Sequence, residues 1–357
     1  MSARRLAALR KTLRSENLDA LIVSNLNHVR YLSGFTGSSG LLVVDRRRAY
    51  FFTDPRYDTQ SRREVKGARV GIVGRPLSAG FARIPLLQKR YSTVGFERDH
   101  ITMLECEEFA QRLNGSLLAP TRGLVERHAM VKDGSELAQI ERAVRVTDET
   151  FTHALQFVKP GVRESELAAE MEYFMKLAGS SKPAFDTIVA SGARSALPHG
   201  VASDKKLARG DLVTFDFGAT VGGYVADMTR TVVVGKATAR QKKIYDTVLR
   251  AQKAGIARVK SGRPAADVDR AARAVITRAG YGRRFGHGTG HGIGMYVHEG
   301  PRVADSSQDT LRRGMVVTVE PGIYLPGWGG VRIEDDVLVT STGGRALNKS
   351  PKNLLEI

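Results

Sequence analysis

From about residue 130 onward the chain contains one unit written twice, and no other feature restricts its fold as tightly. Arg209-Gly210-Asp211-Leu212-Val213-Thr214-Phe215-Asp216-Phe217-Gly218 aligns without gaps to Arg313-Gly314-Met315-Val316-Val317-Thr318-Val319-Glu320-Pro321-Gly322, so that Asp216 answers Glu320 at an offset of 104 residues. Upstream, Val158-Lys159-Pro160-Gly161 answers Val259-Lys260-Ser261-Gly262 at an offset of 101 residues, which extends the likeness to a whole structural unit. Each copy offers a second acid downstream, Asp227 in the first and Glu334 in the second. Packed face to face, the copies would gather four carboxylates into one cleft, as a protein does to hold hard cations.

Electrostatics makes the consequence definite. Four carboxylates about 4 Å apart form six repelling pairs, each on the order of 4 kcal/mol at an effective dielectric of 20. That sum exceeds the roughly 5 to 15 kcal/mol that hold a typical domain folded. Such a cluster must bind cations or take up protons, and two divalent ions would balance four acids.

The two copies read alike in secondary structure. In the first, Asp133-Gly134-Ser135-Glu136 is a capping-box start, and apolar residues at helical spacing run from Leu137 to Val158 until Lys159-Pro160-Gly161 stops them. A second helix is expected from about Glu164 to Ala178, then a β hairpin carrying Asp216 and Asp227 with Gly222-Gly223 as its turn. In the second copy helices are expected from about Ala239 to Lys260 and Ala265 to Ala279, then strands carrying Glu320 and Glu334. Helices followed by strands, twice over, make an α+β arrangement with a pseudo-two-fold axis.

Residues 1–125 read as a separate, smaller α/β domain, with 126–357 as the duplicated one. A helical stripe of Leu6, Leu9, Leu13 and Leu18 precedes strand-like runs at Ala20 to Ser24, Gly40 to Val44 and Ala49 to Thr53. Asn114-Gly115-Ser116 through Thr121-Arg122-Gly123 reads as a turn-rich approach to the linker.

Composition narrows the function classes. The single cysteine, Cys106, excludes an internal disulfide and a thiolate metal cluster and reads as a filler residue. No run approaches the eighteen or so apolar residues of a membrane span, and the opening residues are amphipathic without a signal-like apolar core, so a cytoplasmic location is expected. The net charge of +18 suggests nucleic acid or an anionic surface. Its cations are nevertheless scattered, Arg283 and Arg284 among them, with no aromatic interleaving, and read as a solvated basic surface.

Four of the eight histidines, His199, His287, His291 and His298, fall in Gly-rich sequence of the duplicated region. Gly286 to Gly294 has glycine at alternate positions, as in a strand with one face kept open. It fits neither G-x-G-x-x-G nor H-E-x-x-H, so dinucleotide and zincin readings fail. His199 and His298 stand at comparable places before Arg209 and Arg313 and read as partners across the cleft.

Several stretches together resemble a known family. His287-Gly288-Thr289-Gly290-His291-Gly292-Ile293-Gly294, Val297-His298-Glu299, Val319-Glu320-Pro321-Gly322-Ile323-Tyr324 and Val331-Arg332-Ile333-Glu334-Asp335 are similar to signatures of the pita-bread metallopeptidases. Ala190 to Gly200 and Tyr31 to Gly40 match as well, so the resemblance covers both domains and points to the Xaa-Pro aminopeptidase and prolidase group. It implies a pita-bread catalytic domain behind a creatinase-like N-terminal domain. It also implies metal ligands Asp216, Asp227, His291, Glu320 and Glu334 for two divalent ions, manganese foremost, with cobalt, zinc or iron as alternatives. Glu320 would carry the proton to the leaving proline nitrogen, His298 and His199 would hydrogen-bond the carbonyl and its oxyanion, and His287 and Arg332 would line the proline side.

The expected activity is that of a dinuclear aminopeptidase acting on peptides with proline at the second position, as a homodimer and without nucleic acid or membrane partners. The Gly223-Tyr224 pair resembles the small aminopeptidase pattern, and that resemblance favours this reading over its alternative, a prolidase restricted to Xaa-Pro dipeptides. A prolidase needs a cation for the substrate carboxylate, and in the catalytic domain no candidate stands out beyond Arg332. Arg30 or Arg56 of the N-terminal domain could supply one across a dimer interface. A non-catalytic RNA-binding module is the third reading, opposed by the intact ligand set.

Overall fold

The computed structural model describes residues 2–84, 91–113 and 115–357. The chain separates into two compact units, Met1–Ala129 and Met130–Ile357.

The N-terminal unit is a six-stranded sheet in the order β4-β3-β2-β1-β5-β6, from β1 (Ala20–Val23), β2 (Leu41–Asp45), β3 (Ala49–Thr53), β4 (Arg69–Ile72), β5 (Thr93–Glu97) and β6 (Leu117–Thr121). β1 pairs antiparallel with β2 and parallel with β5. The leucine stripe forms the helix Ser2–Ser15, which buries Leu6, Leu9 and Leu13. The three expected strands form to within a residue of their bounds. The turn-rich reading of 114–123 needs correction: Asn114 lies outside the described residues, but Leu117–Thr121 is an edge strand parallel to β5. Its burial is poor, so it shows no apolar alternation, and its pairing with β5 is what defines it.

The second unit repeats helix, helix, strands. Helix Gly134–Ala154 starts on the expected capping box at Asp133 and Glu136, and Glu164–Leu177 follows. They lead to β7 (Ile188–Ser191), β8 (Leu212–Phe217), β9 (Thr220–Val221), β10 (Tyr224–Val225) and β11 (Met228–Val233). In the second copy Ala239–Ile256 and Ala266–Arg278 precede β12 (Gly290–Gly292), β13 (Glu299–Val303), β14 (Val316–Val319), β15 (Gly322–Leu325), β16 (Gly329–Arg332), β17 (Asp335–Val339) and β18 (Gly344–Ala346). The first of these helices stops four residues before the expected Lys260, and Ala257 to Val259 close in reverse-turn hydrogen bonds. The duplicated elements are α+β, as the order of helices and strands in the sequence required.

Both copies bury apolar cores. Leu212, Val233, Ile244, Tyr245, Val248, Ile276 and Ile323 share one cluster, so that helices of the second copy pack on strands of both. Val259, Val268, Val317, Val319 and Val337 form another. These cores fix the ends of β8, β11, β14 and β17, where the acids lie.

Candidate metal centre

Asp216 sits on β8 opposite Thr229 of β11, and Asp227 immediately precedes β11. The β9–β10 hairpin between them turns on Gly222 and Gly223, both at positive φ (59° and 80°), the backbone of a two-residue turn that matches strand twist. In the second copy Glu320 follows β14 and Glu334 precedes β17, which pair with Val319 opposite Asp335. Each acid pair is therefore held by one antiparallel ladder.

His291 lies on β12, which is only three residues long. The glycines beside it are required by close approach of neighbouring backbone: a Cβ on Gly290 would stand 2.1 Å from the Thr318 carbonyl, and one on Gly292 2.0 Å from that of Gly300. The alternating glycines thus make room for strands β14 and β13, and the expected strand over 286–294 shrinks to 290–292.

The site residues converge. Asp216, Asp227, His199, His287, His291, His298, Glu320 and Arg332 line one cavity of about 780 Å³, and Glu334 lies buried at 1% exposure. Ligand atoms of Asp227, His291 and Glu334 fall within 4.8 Å of one another. His291 Nε2 is 3.3 Å from Glu320 Oε1 and 3.8 Å from Asp227 Oδ2. Its ring stacks edge-on against His298, with centroids 4.3 Å apart.

Hydrogen bonds assign the protons. His291 Nδ1 faces the Gly292 carbonyl at 3.1 Å, and since a carbonyl only accepts, Nδ1 carries the hydrogen; Nε2 points into the site, where it donates to Glu320 when protonated and offers its lone pair to a cation when not. His287 Nδ1 likewise donates to the Gly288 carbonyl at 2.7 Å. Its Nε2 then accepts from the Tyr324 hydroxyl at 2.9 Å, while the Tyr324 oxygen accepts from Arg332 Nη1 at 2.9 Å. Both ring nitrogens of His287 are satisfied within the protein, so it offers the cavity its ring. Arg332 also donates to Asp216 Oδ2 at 2.6 Å and to Thr229 Oγ1 at 3.0 Å, and Thr229 donates to Glu334 Oε2 at 2.6 Å. One network therefore runs from Glu334 through Thr229 and Arg332 to Asp216, Tyr324 and His287.

Thr229, Tyr324 and Thr318 have no place in the sequence-derived set. Thr318 accepts from the His291 amide and donates to Glu320 Oε1. Thr229 could have been found from strand alternation, two residues after Asp227. Asp336 accepts the Asp227 amide at 3.1 Å and was equally unforeseen.

The charges are poorly tolerated. Burial, reinforced by neighbouring acids, pushes Asp227 and Glu334 well above the usual carboxylate range. Burial also lifts Asp216 despite Arg332 and takes Asp336 to about 8. Burial pushes Glu320 upward too, but His291, His287 and Arg332 together outweigh that push and hold the acid below its ordinary range. Buried Asp216 Oδ1, Glu334 Oε1 and Asp336 Oδ1 accept no hydrogen bond from any described residue. Oxygens left bare in a buried acid cluster, with one imidazole lone pair among them, fit a divalent cation.

Comparisons with known proteins agree with this chemistry. Residues 138–341 match Metallopeptidase family M24, and residues 5–131 match the Creatinase/Prolidase N-terminal domain. An Xaa-Pro dipeptidase of Pyrococcus furiosus is 38% identical over 98% of this chain and 99% of its own length. The structure of an Xaa-Pro dipeptidase from Bacillus anthracis superposes with a TM-score of 0.97 at 41% identity, covering 100% of both chains. That of an X-Pro aminopeptidase from Thermotoga maritima gives 0.89 at 36% identity, covering 96% of this chain and 100% of its own.

Proposed function

The chain belongs to metallopeptidase family M24, and from that membership we propose that it hydrolyses the peptide bond preceding proline, with Asp216, Asp227, His291, Glu320 and Glu334 holding two divalent ions, manganese foremost. The observation that carries the reading is the set of bare buried carboxylate oxygens around the His291 lone pair. The same membership makes it a peptide-bond hydrolase. Proline at the second position removes an amide hydrogen and fixes φ, so the substrate is held by ring contact and charge rather than by strand-like pairing.

When bound, the ions acidify a water toward neutral pH and polarise the scissile carbonyl. Glu320, held low and oriented by Thr318, accepts the proton of the attacking water and delivers it to the proline nitrogen, which leaves poorly as an anion. His298, which the desolvating cavity wall and then His291 keep below the ordinary histidine range, is neutral at pH 7 and can donate one N–H to the oxyanion, with His199 as its partner. Arg332 keeps Asp216 oriented, and the ring of His287 lines the proline side.

Of the two specificities, dipeptide hydrolysis is the better supported, because the Pyrococcus furiosus and Bacillus anthracis proteins that match 98% and 100% of this chain are both named Xaa-Pro dipeptidases. The aminopeptidase reading, placed first on the sequence, rests on the Thermotoga relative and on Gly223-Tyr224. A homodimer and a cytoplasmic location belong to the same proposal; no described helix is long and apolar enough to cross a membrane. The test compares kcat/KM for Ala-Pro and Ala-Pro-Ala with added manganese and after chelation. Preference for Ala-Pro by tenfold fixes the dipeptidase, the reverse fixes the aminopeptidase, and cleavage of either that survives complete metal removal contradicts the metal chemistry.

A further inference from the structure

Arg283 and Arg284, read from the sequence as solvated surface, line the metal cavity. They occupy the one-turn segment Gly282–Arg284, which packs on β15, the strand that carries Tyr324, and the chain runs from them through Phe285 and Gly286 into His287. Both are exposed, and neither guanidinium has a hydrogen bond or ion pair with any described residue. Arg332, the other arginine of the lining, is by contrast committed to Asp216, Thr229 and Tyr324. The remaining charged side chains of the lining are Asp186, Asp216, Asp227 and Glu320.

The chain that leaves this pair is tied down by Asp269 and Arg273. Asp269, buried at 0% exposure, holds Arg273 through two hydrogen bonds of 2.8 and 2.9 Å. It also accepts the amide and hydroxyl of Thr289. Arg273 in turn donates to the carbonyls of Phe285 and His287 at 2.9 and 2.7 Å and lies over the Phe285 ring at 4.3 Å. The segment bearing the arginines is thereby clamped to helix Ala266–Arg278. Fixing the base of a long side chain lowers the entropy lost when its head group binds.

Two unpaired guanidinium groups on a clamped turn beside the proline side of the site suit a planar anion with two oxygens, which an arginine engages through parallel N–H donors. We propose that Arg283 and Arg284 recognise a substrate carboxylate on the leaving side of the scissile bond, and so set specificity; this rests on the Xaa-Pro peptidase reading. The carboxylate has two sources in peptides: the free C-terminus of an Xaa-Pro dipeptide, or the side chain of an acidic residue after proline. The first gives the dipeptidase the cation that the sequence alone did not single out.

The test uses the manganese-loaded full chain, wild type against Arg283→Gln/Arg284→Gln, whose exposed positions spare the fold; metal content and Tm are matched first. Two substrate pairs are compared, Ala-Pro with Ala-Pro-amide and Ala-Pro-Asp-amide with Ala-Pro-Ala-amide. In the wild type kcat/KM should favour the charged member of at least one pair by about tenfold, less at high salt because the groups are exposed. In the variant that ratio should fall toward one. Charge preference in the first pair identifies the C-terminal carboxylate, and in the second the acidic side chain. A wild type without charge preference, or a variant that keeps it, overturns the proposal while leaving Xaa-Pro hydrolysis intact. Cleavage of none of the four peptides removes the Xaa-Pro reading itself, and this proposal with it.

Discussion

Three consecutive acids, Glu334, Asp335 and Asp336, are all buried, and they belong to two different regions of the molecule. Strand alternation turns Asp335 to one face, where Arg230 donates at 2.8 Å and Gln252 at 2.9 Å, with Lys352 also paired. Glu334 and Asp336 turn to the other face, and each keeps an oxygen that no described residue satisfies. The N-terminal unit has its own satisfied case: Glu97 takes His28 Nδ1 on one oxygen and the amides of Ser24 and Asn25 on the other. Burial alone therefore does not mark a site. A buried carboxylate with every oxygen partnered holds the fold, and one with a bare oxygen leaves room for a partner from outside the chain.

The sharpest way to break this comparison is to neutralise one member of each class. Glu334→Gln should lower metal occupancy and reduce kcat/KM by roughly 10³-fold or more, since the ions supply several kcal/mol. The chelated variant should be no less stable than the chelated wild type. Asp335→Ala should instead cost about 3 to 5 kcal/mol of stability by leaving buried Arg230 uncompensated. Thermal melts and metal analysis on both variants check this, and interchanged effects would dissolve the distinction.

His298→Ala sharpens the division between holding metal and acting on substrate. The ions should stay bound while kcat and kcat/KM fall together by roughly 10²- to 10³-fold. A change confined to KM would reduce His298 to a binding contact.

A smaller effect is expected at the network that ties the copies together. Tyr324→Phe leaves Arg332 Nη1 and His287 Nε2 short of a partner, which should cost about 1 to 3 kcal/mol in denaturant unfolding. Unchanged stability would mean the hydroxyl is not shared as described.

These expectations also show what the sequence could and could not carry. The duplicated strands and the places of the four acids were legible from the internal repeat, and His291 was joined to them only by the family resemblance of its Gly-rich motif. Thr229 and Tyr324 were not, because their partners Glu334 and His287 come from 105 and 37 residues away. Arg283 and Arg284 read as surface because local pattern says nothing of which cavity a short turn borders. Edge strand Leu117–Thr121 escaped because its half-exposed residues and Pro120 carry no alternation.

A separate effect is expected in pH. Asp227, Glu334 and Asp336 have folded-state pKa values raised by burial, so their contribution to stability is fully present below the ordinary carboxylate range and is lost as pH rises through the raised values, about 8 for Asp336. The chelated protein should therefore melt at higher temperature at pH 5 than at pH 8, provided other groups are matched by comparison with Glu334→Gln. Bound ions hold the ligands ionised, so the loaded protein should lose that trend.

Metal stoichiometry tests the central claim most directly. Chelated wild-type protein, reloaded with manganese and freed of excess, should hold two ions per chain with recovery of Xaa-Pro cleavage, and Glu334→Gln should hold one or none. Equal loading of wild type and variant, or a wild type that binds none, would contradict the assignment of the bare carboxylates to a metal centre.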